Sequence, residues 1–181
     1  MCYVGGVMVT LDRVAPTMPN IVASTEWTNS LSVPVTITPG TDALSGVART
    51  EFNLTGATSQ GWTTYSGGFN IVNEGQTVIN ARTIDNAGNI SNINSLNVKI
   101  DRTLPAYTNI NSEIITPTTF KAVVSGVSDS GSGISNVIFK VWTSLNGQDD
   151  IRSYTATPAG SDYEYTVDIS KHNNELGNYN I

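Results

Sequence analysis

Charge is scarce in this sequence. Lys, Arg, Asp and Glu make up 13% of its 181 residues, about half the usual share. The nine basic residues stand singly, so no Lys/Arg cluster exists to displace counterions from phosphates, and no nucleic-acid partner is expected. A net charge of −6 disfavours an anionic membrane surface for the same reason. The lone cysteine, Cys2, rules out an intramolecular disulfide and any cysteine-based zinc site. No apolar run approaches the ~20 residues of a membrane-spanning helix, so membrane insertion is not expected. Residues 1–10 lack the basic-then-apolar order of a signal peptide. If the protein is exported, its signal is expected outside this sequence. No segment of helical length carries an apolar stripe at a 3.6-residue period.

Thr, Ser, Asn and Gly take the place of charge, and these residues make turns and solvent faces of strands. Apolar content is 39%, within the globular range. The length suits two β-sandwiches of roughly 85 residues each. Internal similarity agrees. Leu11-Asp12-Arg13-Val14-Ala15-Pro16 recurs as Ile100-Asp101-Arg102-Thr103-Leu104-Pro105, and Asp42-Ala43-Leu44-Ser45-Gly46-Val47 recurs loosely as Asp129-Ser130-Gly131-Ser132-Gly133-Ile134. A period of roughly 90 residues fits a seven-strand sandwich better than a solenoid repeat.

Period-2 alternation marks the strands. In the first half it runs through Leu31, Val33, Val35 and Ile37, through Phe52 and Leu54, over Thr77 to Ile84 with Ile79 and Ala81 inward, and through Leu96, Val98 and Ile100. Pro34 cannot donate to a ladder, so its position must face an open edge. In the second half, Val137, Phe139 and Val141 alternate with Ile138, Lys140 and Trp142, and Tyr163, Tyr165, Val167 and Ile169 follow the same pattern. Asn146-Gly147, Asp85-Asn86-Ala87-Gly88-Asn89 and Ser66-Gly67-Gly68 punctuate these runs with turn chemistry. The Asp-Arg-x-x-Pro junctions are expected to be short and semi-rigid, because proline fixes φ.

The ends carry a further expectation. Val7, Val9 and Leu11 before Asp12-Arg13 mirror Leu96, Val98 and Ile100 before Asp101-Arg102. Residues 1–11 therefore read as the last strand of a preceding repeat. Tyr179-Asn180-Ile181 reads as a strand that stops almost as it starts. The expected organisation is residues 1–11 as that surplus strand, a first sandwich over 12–101, and a second over 102–181 truncated at its C-terminal strands.

Two family resemblances attach to particular residues. Asp12-Arg13-x-x-Pro16, Asp42-x-x-Ser45-Gly46-Val47 and Ala81-x-x-x-Asp85-Asn86-Ala87-Gly88-Asn89-Ile90-Ser91 make residues 12–101 resemble the bacterial Ig-like repeats of surface proteins. Val141 to Ile151, Tyr154-x-Ala156 and His172 to Ile181 make residues 107–181 look like the GBS Bsp-like repeat. The resemblance implies an all-β fold of two tandem immunoglobulin-like sandwiches and a non-catalytic module. It also implies a secreted or cell-wall setting, neighbouring Ig-like repeats as partners, and a place beside a cell-wall hydrolase. It assigns no binding residue.

Chemistry-bearing residues are few. His172 is the only histidine; a Ser-His-Asp triad needs one, but no Gly-x-Ser-x-Gly elbow accompanies it, and a structural turn role is expected. Asp149-Asp150 is a carboxylate pair, yet sequence neighbours on a strand do not face each other across a glycosidic bond; capping turn amides is the expected task. Asp42, Asp85 and Asp129 offer oxygens to calcium, without an EF-hand pattern, and Asx turns account for them. No catalytic residue, cofactor site or metal site is therefore assigned. Trp62 and Tyr65, and Trp142 and Tyr154 in the second half, are candidates for stacking on a cell-wall polymer, a carbohydrate or peptidoglycan, against the usual role of aromatics in filling a thin sandwich core. The expected function is a structural spacer, with polymer binding as the alternative.

Overall fold

The computed structural model describes residues 11–181. The chain folds as two compact units divided after Arg102. Among the described residues there is no α-helix; every regular element but one single-turn 3-10 helix is a strand.

The first unit holds β1 (Asn20–Val22), β2 (Val33–Thr38), β3 (Val47–Gly56), β4 (Gln60–Thr64), β5 (Phe69–Ile71), β6 (Gly75–Asp85) and β7 (Asn94–Ile100). They form two antiparallel sheets, β1-β2-β5 and β4-β3-β6-β7. This is the immunoglobulin-like sandwich. The alternating residues do what their period predicts. Val33, Val35 and Ile37 of β2 face Phe52 and Leu54 of β3, Ile79 and Ala81 of β6, and Val98 and Ile100 of β7 in one buried cluster. Each fully buried aliphatic side chain contributes about 1.5–3 kcal/mol.

One detail of β2 differs from the sequence reading. Leu31 is 81% exposed and precedes β2 rather than joining it. β2 is a central strand, but β1 pairs only with Thr36 to Thr38, so at Pro34 the sole neighbour is β5, and the missing N–H meets an open edge there.

The second unit holds β8 (Asn109–Thr116), β9 (Thr119–Ser125), β10 (Ile138–Thr143), β11 (Arg152–Thr155), β12 (Thr157–Ala159), β13 (Asp162–Asp168) and β14 (Tyr179–Asn180). Its sheets are β12-β13-β9-β8 and β11-β10-β14. Phe120, Ala122 and Val124 of β9 pack with Phe139, Val141 and Val167 in a second, separate core. Asn146 and Gly147 both have positive φ, 59° and 81°, as a tight reversal requires, but they sit inside an eight-residue loop from Ser144 to Ile151 rather than closing a two-residue hairpin. The alternation of β13 also stops one residue early. Asp168 accepts from the Ser170 N–H as an N-cap, and Ile169 opens the 3-10 turn while staying buried. The surplus strand read at residues 1–11 lies outside the described residues except for Leu11, which is exposed and not in a strand.

Candidate functional site

Three groups of polar or aromatic side chains stand out. The first sits where the chain enters the first unit. The loop after β2 brings Asp42, and the end of β6 brings Asp85, to the segment carrying Asp12. One carboxylate oxygen from each lies within 4.8 Å of the others. Each carboxylate is held by donors. Asp12 accepts the N–H of Val14 at 2.9 Å and of Ser45 at 3.0 Å. Asp42 accepts the N–H of Leu44 and of Gly46, at 3.0 and 2.8 Å. Buried Asp85 accepts the backbone N–H and the side-chain amide of Asn89, each at 2.8 Å. The hydrogen bonds from Ser45 and Val14 hold the Asp12 carboxyl below its ordinary value. Oxygen-only donors in such a trio suit a hard divalent cation and no softer metal. The hydrogen bonds alone also account for the geometry.

Asp129 does not join the trio. Its Oδ1 accepts from Gly131 and Gly133 at 2.9 and 3.0 Å, the same i+2 and i+4 pattern that Asp42 makes with Leu44 and Gly46. The two Asp-x-x-x-Gly loops thus share one local structure, an Asx turn. Asp12 is the member of the trio that the sequence reading did not connect with the others. Asp42 lies 30 residues along the chain from it and Asp85 lies 73, and no local pattern encodes that meeting.

The second group lies inside the second unit. His172 follows the 3-10 turn, and its ring turns inward to complete burial. Nδ1 lies 3.0 Å from Asp150 Oδ2, and Nε2 lies 2.8 Å from the Tyr154 hydroxyl. The carboxylate can only accept from Nδ1–H, and in the neutral ring this tautomer has Nε2 accept from the Tyr154 hydroxyl. Asp150 also accepts the Thr143 N–H through both oxygens, at 3.0 and 3.2 Å. The Thr143 hydroxyl donates to Glu175. The expected turn role of His172 is met in backbone terms, with Asn173 and Asn174 following at positive φ, but the side chain is a core hub. Asp149 and Asp150 diverge: Asp149 is exposed, while Asp150 is buried. Capping is one half of what Asp150 does; pairing with His172 is the other. Histidine, carboxylate and tyrosine are joined here, yet both ring nitrogens are occupied and the ring is sealed from solvent. The arrangement holds a shape; it does not present a base to a substrate.

The third group is aromatic. Trp62 on β4 is 38% exposed and packs its ring 4.1 Å from the Arg82 guanidinium, a cation–π contact. Arg82 in turn pairs with Glu51 at 2.8 Å. Tyr65 turns the other way: its hydroxyl accepts the Ile37 N–H at 3.1 Å, and its ring meets Phe52 edge-on. Tyr154 stacks on Tyr165 at 4.6 Å. Trp142 is half-buried. Tyr154 lies opposite Phe139 on the core face, so Trp142, three positions on, points to the other face. The structure therefore brings neither Trp62 with Tyr65 nor Trp142 with Tyr154 onto one exposed face.

Comparisons with known proteins bear on this picture. No curated protein matches the chain. Among solved structures, the FN1-FN3 domains of chicken CNTN1 are similar at 8% identity and a TM-score of 0.39, over 85% of this chain and 56% of that one. This chain thus spans little more than half their length, and the sandwich architecture rests on the sheet topology above rather than on that likeness. Residues 109–181, from β8 through β14 and with the buried histidine network inside them, match the family model of the GBS Bsp-like repeat.

Proposed function

We propose that this chain is a non-catalytic spacer of a secreted or cell-surface bacterial protein, extracellular or wall-associated, of the kind that stands beside a cell-wall hydrolase. One observation carries the reading. In the first unit, the Asp-Arg-x-x-Pro motif serves to clamp the chain at both ends. Where the chain enters, Asp12 holds the Ser45 N–H, and the Asn89 amide reaches the carbonyls of Asp12 and Val14. Thr17 and Thr41 bond each other through backbone and side chain, at 2.8 and 2.7 Å. Where the chain leaves, Asp101 N–H donates to Thr28, and Arg102 spreads its guanidinium over the carbonyls of Ser30, Leu31 and Val72 while pairing with Glu74. A sandwich whose two chain ends are tied to its loops transmits position and load, which is what a spacer needs. The match of residues 109–181 to a repeat family supports the same reading.

Binding to a wall polymer is the second reading, and Trp62 favours it. Its exposed ring stands on a polar sheet face with Arg82, Glu51 and the hydrogen-bonded Asn53–Asn80–Ser95 ladder. Cosedimentation with purified Gram-positive walls, native and stripped of wall polymers, separates the two. The spacer reading expects no saturable retention of folded protein on either. Saturable retention that falls with Trp62→Ala would establish the binding module instead.

A further inference from the structure

Trp62 is an aromatic residue that the core of the first unit does not use. It takes no part in the buried cluster between the two sheets, and β4 carries no other apolar side chain. Thr64 stands opposite Glu51 on the outward face of the β4-β3-β6-β7 sheet. Trp62, two positions away, shares that face, where the Arg82 guanidinium packs on its ring and holds it in place.

That face gathers cations which the sequence keeps apart. Arg49 and Arg82 are 33 residues apart in the chain, and the pairing of β3 with β6 brings both to Glu51. Glu51 Oε1 accepts from Arg49 Nε at 2.7 Å, and Oε2 accepts from Arg82 Nε and Nη2 at 3.0 and 2.8 Å. Lys99 of β7, opposite Gln76, lies farther along the same face. Three cations thus share the face with one carboxylate, in a chain whose net charge is −6. Glu51 leaves donors over. Among the described residues, neither Nη of Arg49 nor Nη1 of Arg82 has an acceptor, and the Arg49 side chain is 47% exposed. An open guanidinium fork matches a carboxylate or a phosphate.

The rest of the face suits sugar hydroxyls. Asn80 donates to Asn53 at 2.9 Å and accepts from Ser95 at 2.6 Å, and Asn97 donates to Gln76 at 2.9 Å. Amides and hydroxyls exchange hydrogen bonds in both directions, and an indole offers a flat apolar platform to a sugar ring. From Arg82 to Gln76 the face runs along β6 for about 20 Å, the reach of a chain of sugars and not of one.

We propose that the outward face of β4-β3-β6-β7 binds an acidic polysaccharide, with a sugar ring on the exposed side of Trp62 and that sugar's carboxylate or phosphate on Arg49 and Arg82. The proposal rests on the second reading above and names its ligand class, without requiring that the polymer come from a cell wall. Calorimetric titration of the full chain tests it with four probes. Polygalacturonate supplies ring and carboxylate, phosphomannan supplies ring and phosphate, methyl-esterified polygalacturonate supplies the ring uncharged, and polyglutamate supplies carboxylates without a ring.

Saturable binding to polygalacturonate assigns the carboxylate, and to phosphomannan the phosphate. In either case the methyl ester and polyglutamate should bind at least about tenfold more weakly, and Trp62→Ala and Arg49→Gln should each cost about tenfold or more. Both side chains stand outside the core, so the melting temperature of each variant should stay near the parent's. No saturable binding to either acidic polysaccharide overturns the proposal. So does equal binding of the methyl ester, which makes the face a neutral-glycan site, and equal binding of polyglutamate, which reduces it to charge. Binding that neither substitution weakens also overturns it. Cosedimentation with walls separates the two claims. Wall retention that falls with Trp62→Ala but not with Arg49→Gln keeps the wall-binding reading and removes this one. Acidic-polysaccharide binding without wall retention does the reverse.

Discussion

At the scale of single residues, polar groups decide how well each core closes. Thr50 is buried and its hydroxyl lacks a partner, whereas the buried threonines of β6 are satisfied: Thr83, opposite Thr50, accepts from Gly40 N–H, and Thr77 from Thr58 N–H. Thr50→Val removes the unpaired hydroxyl and keeps shape and strand preference, so it should stabilise the first unit by about 1 kcal/mol, read from the urea midpoint. His172→Ala acts in the opposite direction. It leaves the buried Asp150 and Tyr154 each short of a hydrogen-bond partner and empties the space of a buried ring, and should cost the second unit about 3–5 kcal/mol. Titration reads the same groups. Asp12 and Glu51 have carboxyls held below their ordinary values, Asp12 by Ser45 and Val14 and Glu51 chiefly by Arg49, with Arg82 adding to it. Their contribution is complete above the ordinary values and is lost as pH falls through the lower, folded ones. The hydroxyls of Tyr154 and Tyr179 are raised above 10.0, chiefly by burial. Their contribution is complete below pH 10 and is lost as pH rises beyond it. The first unit should therefore weaken below about pH 4. The second should weaken above pH 10, together with late tyrosinate absorbance.

At the scale of elements, the loops where the chain enters carry the design. Gly40 lies so close to Thr17 that a Cβ would fall 1.8 Å from the Thr17 carbonyl oxygen. Gly40→Ala should break the Thr17–Thr41 pairing and lower the first unit's melting temperature by several degrees, and a melting curve no different from the parent's would remove this clamp from the account. The hydrogen bonds around Asp12, Asp42 and Asp85 predict that millimolar calcium or its chelation leaves that melting temperature unchanged; a rise with calcium would make the trio a cation site. Strands with strict alternation were legible in the sequence. Leu96, Val98 and Ile100, or Phe139 and Val141, each place one face on a core, and period 2 reports that directly. β4 carries Gln60, Gly61, Trp62, Thr63 and Thr64 and has no apolar face to read. β8 was hidden for another reason: Ile110 and Ile114 are four residues apart, Ile115 breaks the alternation, and the residues between are polar, so nothing in the pattern separates it from a loop. The trio and the inward turn of His172 depend on meetings across tens of residues, which local spacing does not encode.

At the scale of the whole molecule, two cores and two sets of sheets make two self-contained units, each with its own source of stability. Thr50→Val and His172→Ala should shift different transitions in a thermal scan, and additively, since the sites share no partner. The spacer reading depends on that independence and on the ties at both ends of the first unit. Pulling single molecules by their termini tests it most directly. The account predicts two separate unfolding events, with Arg102→Ala and Asp12→Ala lowering the force of one and leaving the other where it was. One cooperative event, or two events that neither substitution moves, would contradict it.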